Sequence, residues 1–239
     1  MSLLIPIIFM PLLMSVLQLF FGKNIKGFHI ITIVAGVGVS WLLSVKLLLG
    51  VVFFHDDPSQ LTVLFNWAHV FTGNFRIGFM ADGMTVLMLP MVSTVSLLVH
   101  IFASGYMHGH ERYSRFFAQI SFFTFAMLAL VTSNNLLFFF MAWELMGLCS
   151  YLLIGFYYEQ ESAFKAAIKA FLTTRVGDVI FFLGIAILYS ATGELSFDGI
   201  TEMAHHGQIS HTALLTASLC FLGGAIGKSA QFPLHVWLP

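Results

Sequence analysis

The sequence predicts an all-α polytopic membrane protein. About seven helices span the bilayer, the seventh discontinuous, and a short β-hairpin lies outside it. Three observations predict this. Of 239 residues, 59% are hydrophobic and 9% charged, too few charges for an ordinary water-facing surface. The mean hydropathy is +0.92. The apolar residues come in long runs separated by short polar segments, and runs of that length cross about 30 Å of hydrocarbon as helices. The lipid bilayer is therefore the first partner. The formal net charge of −1 gives no electrostatic case for nucleic acid.

The first helix covers roughly 3–21, with Pro6 and Pro11 inside it; membrane helices tolerate proline. No basic n-region precedes it and its apolar run exceeds an h-region, so it reads as a membrane helix from Met1 onward rather than a cleaved signal. After the turn from Gly22 to Gly27, the second helix runs over 28–54, with Lys46 snorkelling near its far end. The longest polar interval, 55–82, opens with His55-Asp56-Asp57-Pro58. Its β-prone runs 61–71 and 74–80 flank Thr72-Gly73, the pattern of a hairpin. The third helix, 83–107, carries His100, read as a satisfied core histidine. The fourth covers 114–133, the fifth 134–157 and the sixth 162–191. Residues 192–209 read as a polar, acidic loop, and the seventh helix as 210–232.

Lys23, Lys26, Arg112, Arg115, Lys165 and Lys169 all fall in or beside loops on one side of this arrangement. The positive-inside rule puts that side in the cytoplasm and the N-terminus outside. Cys149 and Cys220 lie inside apolar segments, as small buried hydrophobes do. His108, His110, His205, His206 and His211 lie in loops without a ligand set at metal spacing, so no metal site is expected. No dinucleotide fingerprint, P-loop, iron–sulfur cysteine spacing or haem motif occurs, so no cofactor is expected in this chain.

The candidate site comes from charges inside apolar helices. Glu144 sits near the centre of the fifth helix, where an ionisable residue costs roughly 2.5–3.5 kcal/mol on insertion scales. Such a residue faces other helices or a wet cavity and has a partner. It handles protons or ions, or it is a protonated glutamic acid that only ties helices together. Arg175 and Asp178 share a face of the sixth helix and offset each other's charge. Either they are locked in place or they take part in transport. Lys228, between Gly223, Gly227 and Pro233, marks a broken helix and is the expected partner of Glu144; the alternative is a lysine snorkelling at a helix end. Re-pairing a buried Lys–Glu couple decides whether the amine keeps its proton, which makes the couple a proton switch. His235, two turns beyond Lys228, is a possible relay member if the helix resumes.

Trp143-Glu144 with GLCSYLLIGFYY at 147–158, TTRVGD at 173–178 and GGAIGKSAQFPLHVWLP at 223–239 resemble the antiporter-like membrane subunits, above all subunit L of respiratory complex I (NADH:quinone oxidoreductase). The stretch 79–135 is similar to that family's N-terminal region. The resemblance implies that Glu144 and Lys228 form the proton-carrying couple and that Arg175 and Asp178 gate it. Proton translocation would be driven by quinone reduction elsewhere in an enzyme complex. Partners would be other membrane subunits, with NADH and quinone bound by those other subunits, in a bacterial inner membrane. Multi-subunit Na⁺/H⁺ antiporters share the plan and remain an alternative, as does a structural fragment with fixed ion pairs. Family members are longer, so the chain reads as an N-terminal fragment. Residues 1–82 would hold two helices and the hairpin, and 83–239 the first part of the translocating core, without the second repeat.

Overall fold

The structure is a computed structural model. It describes residues 3–25, 27–70 and 73–239, with the backbone alone over 65–70 and 73–77. Lys26, counted above on the basic side, and Thr72, in the expected hairpin turn, lie outside the described residues, as does the side chain of Arg76. Among the described residues, eight helices and one hairpin follow in order: α1 (Leu4–Phe21), α2 (Phe28–Phe54), β1 (Val63–Val70), β2 (Gly73–Phe79), α3 (Gly83–Tyr106), α4 (Tyr113–Val131), α5 (Leu136–Ile154), α6 (Glu161–Thr192), α7 (Phe197–His205) and α8 (His211–Lys228). Six of these, α1 to α6, are long and apolar enough to cross a membrane. The expected seventh helix is α8, whose apolar residues are diluted by glycine, threonine, serine and Lys228.

The residues pack into two compact units, Met1–Ser133 and Asn134–Pro239. Packing divides the chain at the turn before α5, whereas the division at residue 82 set two helices and the hairpin apart from the expected translocating core.

In the first unit α1 packs on α4 and α2, and α3 on α2 and α4. Hydrogen bonding in α2 widens to the π pattern over Thr32–Gly38. A Cβ at Gly36 would come 3.0 Å from Met14 Cγ, so the glycine lets α1 and α2 approach closely. β1 and β2 pair antiparallel with an irregularity between Asn66 and Ala68, as expected of the hairpin. The chain leaves β2 through Met80, whose N–H donates to Thr132 O at 2.7 Å. The Asp82 carboxylate then caps α3 by accepting the Thr85 N–H at 2.7 Å.

Within the apolar interior of this unit, the buried polar side chains described are uncharged. Gln18 of α1 accepts from Thr32 at 2.7 Å, and its Nε2 donates to Ser114 of α4 at 3.3 Å. Ser40 donates to Ile7 O at 2.8 Å, and Ser15 to Ala118 O at 2.7 Å. His100 is 1% exposed. Its ring nitrogens meet Ser96 O at 2.8 Å and Ser121 Oγ at 3.0 Å, as expected of a satisfied core histidine.

In the second unit Asn135 caps α5 by accepting the Phe138 N–H at 2.7 Å. A buried apolar group of Leu136, Phe181, Ile185, Leu188 and Ala217 joins α5, α6 and α8. The segment 192–209 is not the loop expected from its polarity. Ser196 caps α7, and Phe197 packs on that apolar group, while Leu136 N–H donates to Leu195 O at 2.9 Å. The final helix stops at Lys228 instead of running to 232, because the chain turns over 229–233 before the 3₁₀ segment Leu234–Trp237. Trp237 Nε1 donates back to Gly227 O at 3.0 Å. Glycines set the contact of α6 with α8: a Cβ at Gly177 would meet Gly227 Cα at 3.1 Å and Gly223 O at 3.2 Å.

Candidate functional site

Four charged side chains meet in the second unit. Glu144 projects from the middle of α5, Arg175 and Asp178 from successive turns of α6, and Lys228 from the last position of α8. The close glycine contact of α6 with α8 brings Lys228 to the face of α6 that carries Asp178.

Arg175 is ion-paired with Glu144 through Nη1, and the same Nη1 lies 3.6 Å from Asp178 Oδ2. Lys228 Nζ lies 3.9 Å from that same oxygen. The other carboxylate oxygen of Asp178 accepts a 2.6 Å hydrogen bond from Trp143 Nε1. Asp178 Oδ2 is buried and has no hydrogen-bond partner. Both cations attract it from beyond hydrogen-bond distance. Exposure is graded: the Asp178 side chain is 2% exposed, Lys228 14%, Glu144 26% and Arg175 28%. Two aromatic rings complete the site. The Arg175 guanidinium carbon lies 4.5 Å from the Phe171 ring centre, and the Lys228 ammonium 5.7 Å from that of Trp143.

The expected direct couple of Glu144 with Lys228 is corrected by this geometry. Glu144 is taken by Arg175, whose long planar fork reaches acids on two helices. Lys228 rides on the helix packed against α6, so its nearest acid is Asp178. The result is a line of alternating charge: Glu144, Arg175, Asp178, Lys228. The Arg175–Asp178 proximity expected from helical spacing is present. His235 is exposed on the 3₁₀ segment and stacks on Phe232, with ring centres 5.8 Å apart. No described contact joins it to the four.

Sequence reasoning assigned no role to Trp143 or Gly147. Trp143 holds Asp178, and a Cβ at Gly147 would lie 2.5 Å from Lys228 Nζ and 3.5 Å from Arg175 Nη2. The signal was available: Gly147 follows Trp143 by one helical turn and Glu144 by slightly less, which puts the three on one side of α5.

Chemically, two acids and two bases whose formal charges cancel can share protons. Arginine stays charged in proteins, whereas a lysine amine can gain or lose a proton. Arg175 is therefore a permanent charge on a long, movable side chain, and Lys228 is a base that can exchange its proton. Among the described residues, no group of three or more His, Cys, Asp or Glu side chains is placed to hold a metal ion.

Residues 133–239 match the family model of the NADH:quinone oxidoreductase/Mrp antiporter transmembrane region. Residues 67–117 match that of the NADH-ubiquinone oxidoreductase (complex I) chain 5 N-terminus. NADH-quinone oxidoreductase subunit L of Escherichia coli (strain K12) is 42% identical over 243 residues, covering 100% of this chain and 39% of that protein. F(420)H(2) dehydrogenase subunit L of Methanosarcina mazei is 40% identical over 258 residues, covering 99% of this chain and 37% of the relative. The chain thus spans well under half the length of these relatives. Among solved structures, a chain of the membrane-bound sulfane sulfur reductase, an archaeal respiratory membrane complex, superposes with a TM-score of 0.80. That match covers 99% of this chain and 47% of the other at 17% identity, a likeness of fold.

Proposed function

The chain belongs to the antiporter-like membrane subunits of the NADH:quinone oxidoreductase and Mrp antiporter family, and from that premise we propose that it serves a proton-translocating NADH:quinone oxidoreductase. In this reading NADH and quinone bind other subunits, this chain carries no redox centre, and its own task is to move protons through Glu144, Arg175, Asp178 and Lys228. The basic loops face the cytoplasm of a bacterial cell and the N-terminus faces outward.

One observation carries the reading: a buried carboxylate oxygen, Asp178 Oδ2, stands between two cations without a hydrogen bond to either. A group that served only to lock helices together would be expected to have that oxygen satisfied. Asp178 and the protonated Lys228 amine attract each other across 3.9 Å. When Arg175 leaves Glu144 for Asp178, it screens that attraction, and the amine gives up its proton. Glu144, freed of its guanidinium, is then the acid that takes a proton up. Return of Arg175 restores the first pairing once Glu144 has passed its proton onward and Lys228 has taken one up. A single charge moved across about 100 mV is worth about 2.3 kcal/mol, which re-pairing of this kind can supply.

The test is Glu144→Gln in the whole complex, read as NADH-driven acidification of inverted membrane vesicles alongside NADH oxidation. Pumping falls while the assembled complex persists; pumping at the unaltered rate overturns the proposal. Sodium efflux from vesicles holding an assembly that lacks NADH oxidation supports the antiporter reading instead. Altered assembly with unchanged turnover per complex identifies fixed ion pairs.

A further inference from the structure

Gly147 is buried in α5, at the place where two cations from other helices converge on it. A Cβ there would lie 2.5 Å from Lys228 Nζ, 3.9 Å from Lys228 Cε and 3.5 Å from Arg175 Nη2. The first distance is shorter than any non-bonded carbon tolerates; the other two are ordinary contacts. The backbone of Gly147 is helical, so the glycine is not required by its dihedral angles. Glycine also weakens a helix relative to alanine. What alanine would disturb is the lysine tip.

We infer that Gly147 is a positioning residue that seats the Lys228 ammonium against the α5 backbone, within reach of Asp178 and beside Arg175. The inference rests on the transport reading above and adds a determinant to it. The missing methyl leaves a notch in the face that carries Glu144. Lys228 fills the notch, and this sets how far its ammonium stands from Asp178 Oδ2, now 3.9 Å. Filling the notch pushes out the end of a flexible side chain, which gives way readily, so the helices are left as they are. Gly177 is the opposite case: a Cβ there meets the α8 backbone at Gly227 Cα and Gly223 O, which cannot give way without moving the helix. The two glycines therefore have different consequences when replaced by alanine.

The experiment compares Gly147→Ala, Gly177→Ala, Lys228→Ala and the double variant Gly147→Ala/Lys228→Ala in the whole complex. The readouts are complex content, protons pumped per NADH oxidised, and the pH profile of pumping. Gly147→Ala keeps normal complex content, lowers pumping about tenfold and displaces the pH profile; a misplacement of about 1 Å can cost up to about a hundredfold. Gly177→Ala lowers complex content. In the Lys228→Ala background the Gly147 substitution has no additional effect, because the atom it meets is gone. Normal pumping and an unmoved pH profile in Gly147→Ala overturn the inference while Glu144→Gln still decides the transport reading. If Gly147→Ala fails to assemble, the double variant decides. Assembly restored by removing the lysine supports the contact, and assembly still lost shows a clash with something else and overturns it.

Discussion

The two units bury polar groups by opposite means. In Met1–Ser133 the buried polar side chains are neutral and tied by ordinary hydrogen bonds: Gln18 with Thr32 and Ser114, Ser40 with Ile7 O, His100 with Ser96 O and Ser121. In Asn134–Pro239 the polar interior is four charges in a line, with one carboxylate oxygen left without a hydrogen bond. A neutral hydrogen bond has a short reach and a required angle, so a network of them specifies one arrangement. A charge is attracted over a longer range and can be satisfied by more than one opposite charge. The first unit is built to stay as it is, and the second retains alternatives.

Substitutions that keep shape but change charge or bonding test this contrast. The largest effect is expected for Asp178→Asn. It takes from Lys228 its nearest acid and leaves Arg175 with Glu144, and breaking a buried pair costs about 3–5 kcal/mol. NADH-driven pumping by the assembled complex falls by at least about tenfold, measured by vesicle acidification; a normal rate would erase the distinction between the units. Next comes Trp143→Phe, which removes the indole donor held by Asp178 at 2.6 Å. Hydrogen bonds to charged groups contribute about 1.5–3 kcal/mol, so pumping drops less than in Asp178→Asn and the pH profile moves. Ser121→Ala in the first unit leaves His100 Nε2 without its partner, at about 1–3 kcal/mol. The expected result is a lower thermal midpoint for the complex with unchanged pumping per assembled molecule; altered pumping there would give the first unit a part in transport. The smallest effect is expected for Trp237→Phe. It loses the 3.0 Å bond to Gly227 O, about 0.5–1.5 kcal/mol, and registers as slightly reduced complex content.

Much of the fold was legible because a membrane helix is announced by its length of apolar sequence. The boundaries of α1, α3, α5 and α6 and both strands fall within a few residues of those expected. What failed did so where packing overrides local pattern. The segment around α7 reads as polar, yet Ser196 caps it and Phe197 anchors it to the apolar group of the second unit. The π stretch of α2 and the end of α8 at Lys228 likewise answer to neighbours rather than to composition. For the candidate site, the four charged residues stood out because charge inside an apolar run is costly. Their pairing was not legible. Which acid Lys228 meets depends on how α8 is rotated against α6, and that follows from the glycine contacts, not from spacing along one helix. The spacing of Trp143 and Gly147 put both beside Glu144 on α5, but their contacts with Asp178 and Lys228 depend on that same rotation.

The glycine seam between α6 and α8 also limits the kind of motion this unit can use. With Gly177 against Gly227, main chain rests on main chain, with no room for a side chain between them. Sliding one rod along the other would bring neighbouring side chains into a gap that only glycine fits. The changes of partner proposed for the four charges would then fall to the swing of long side chains pivoting on stationary rods, a short-stroke lever in place of a piston.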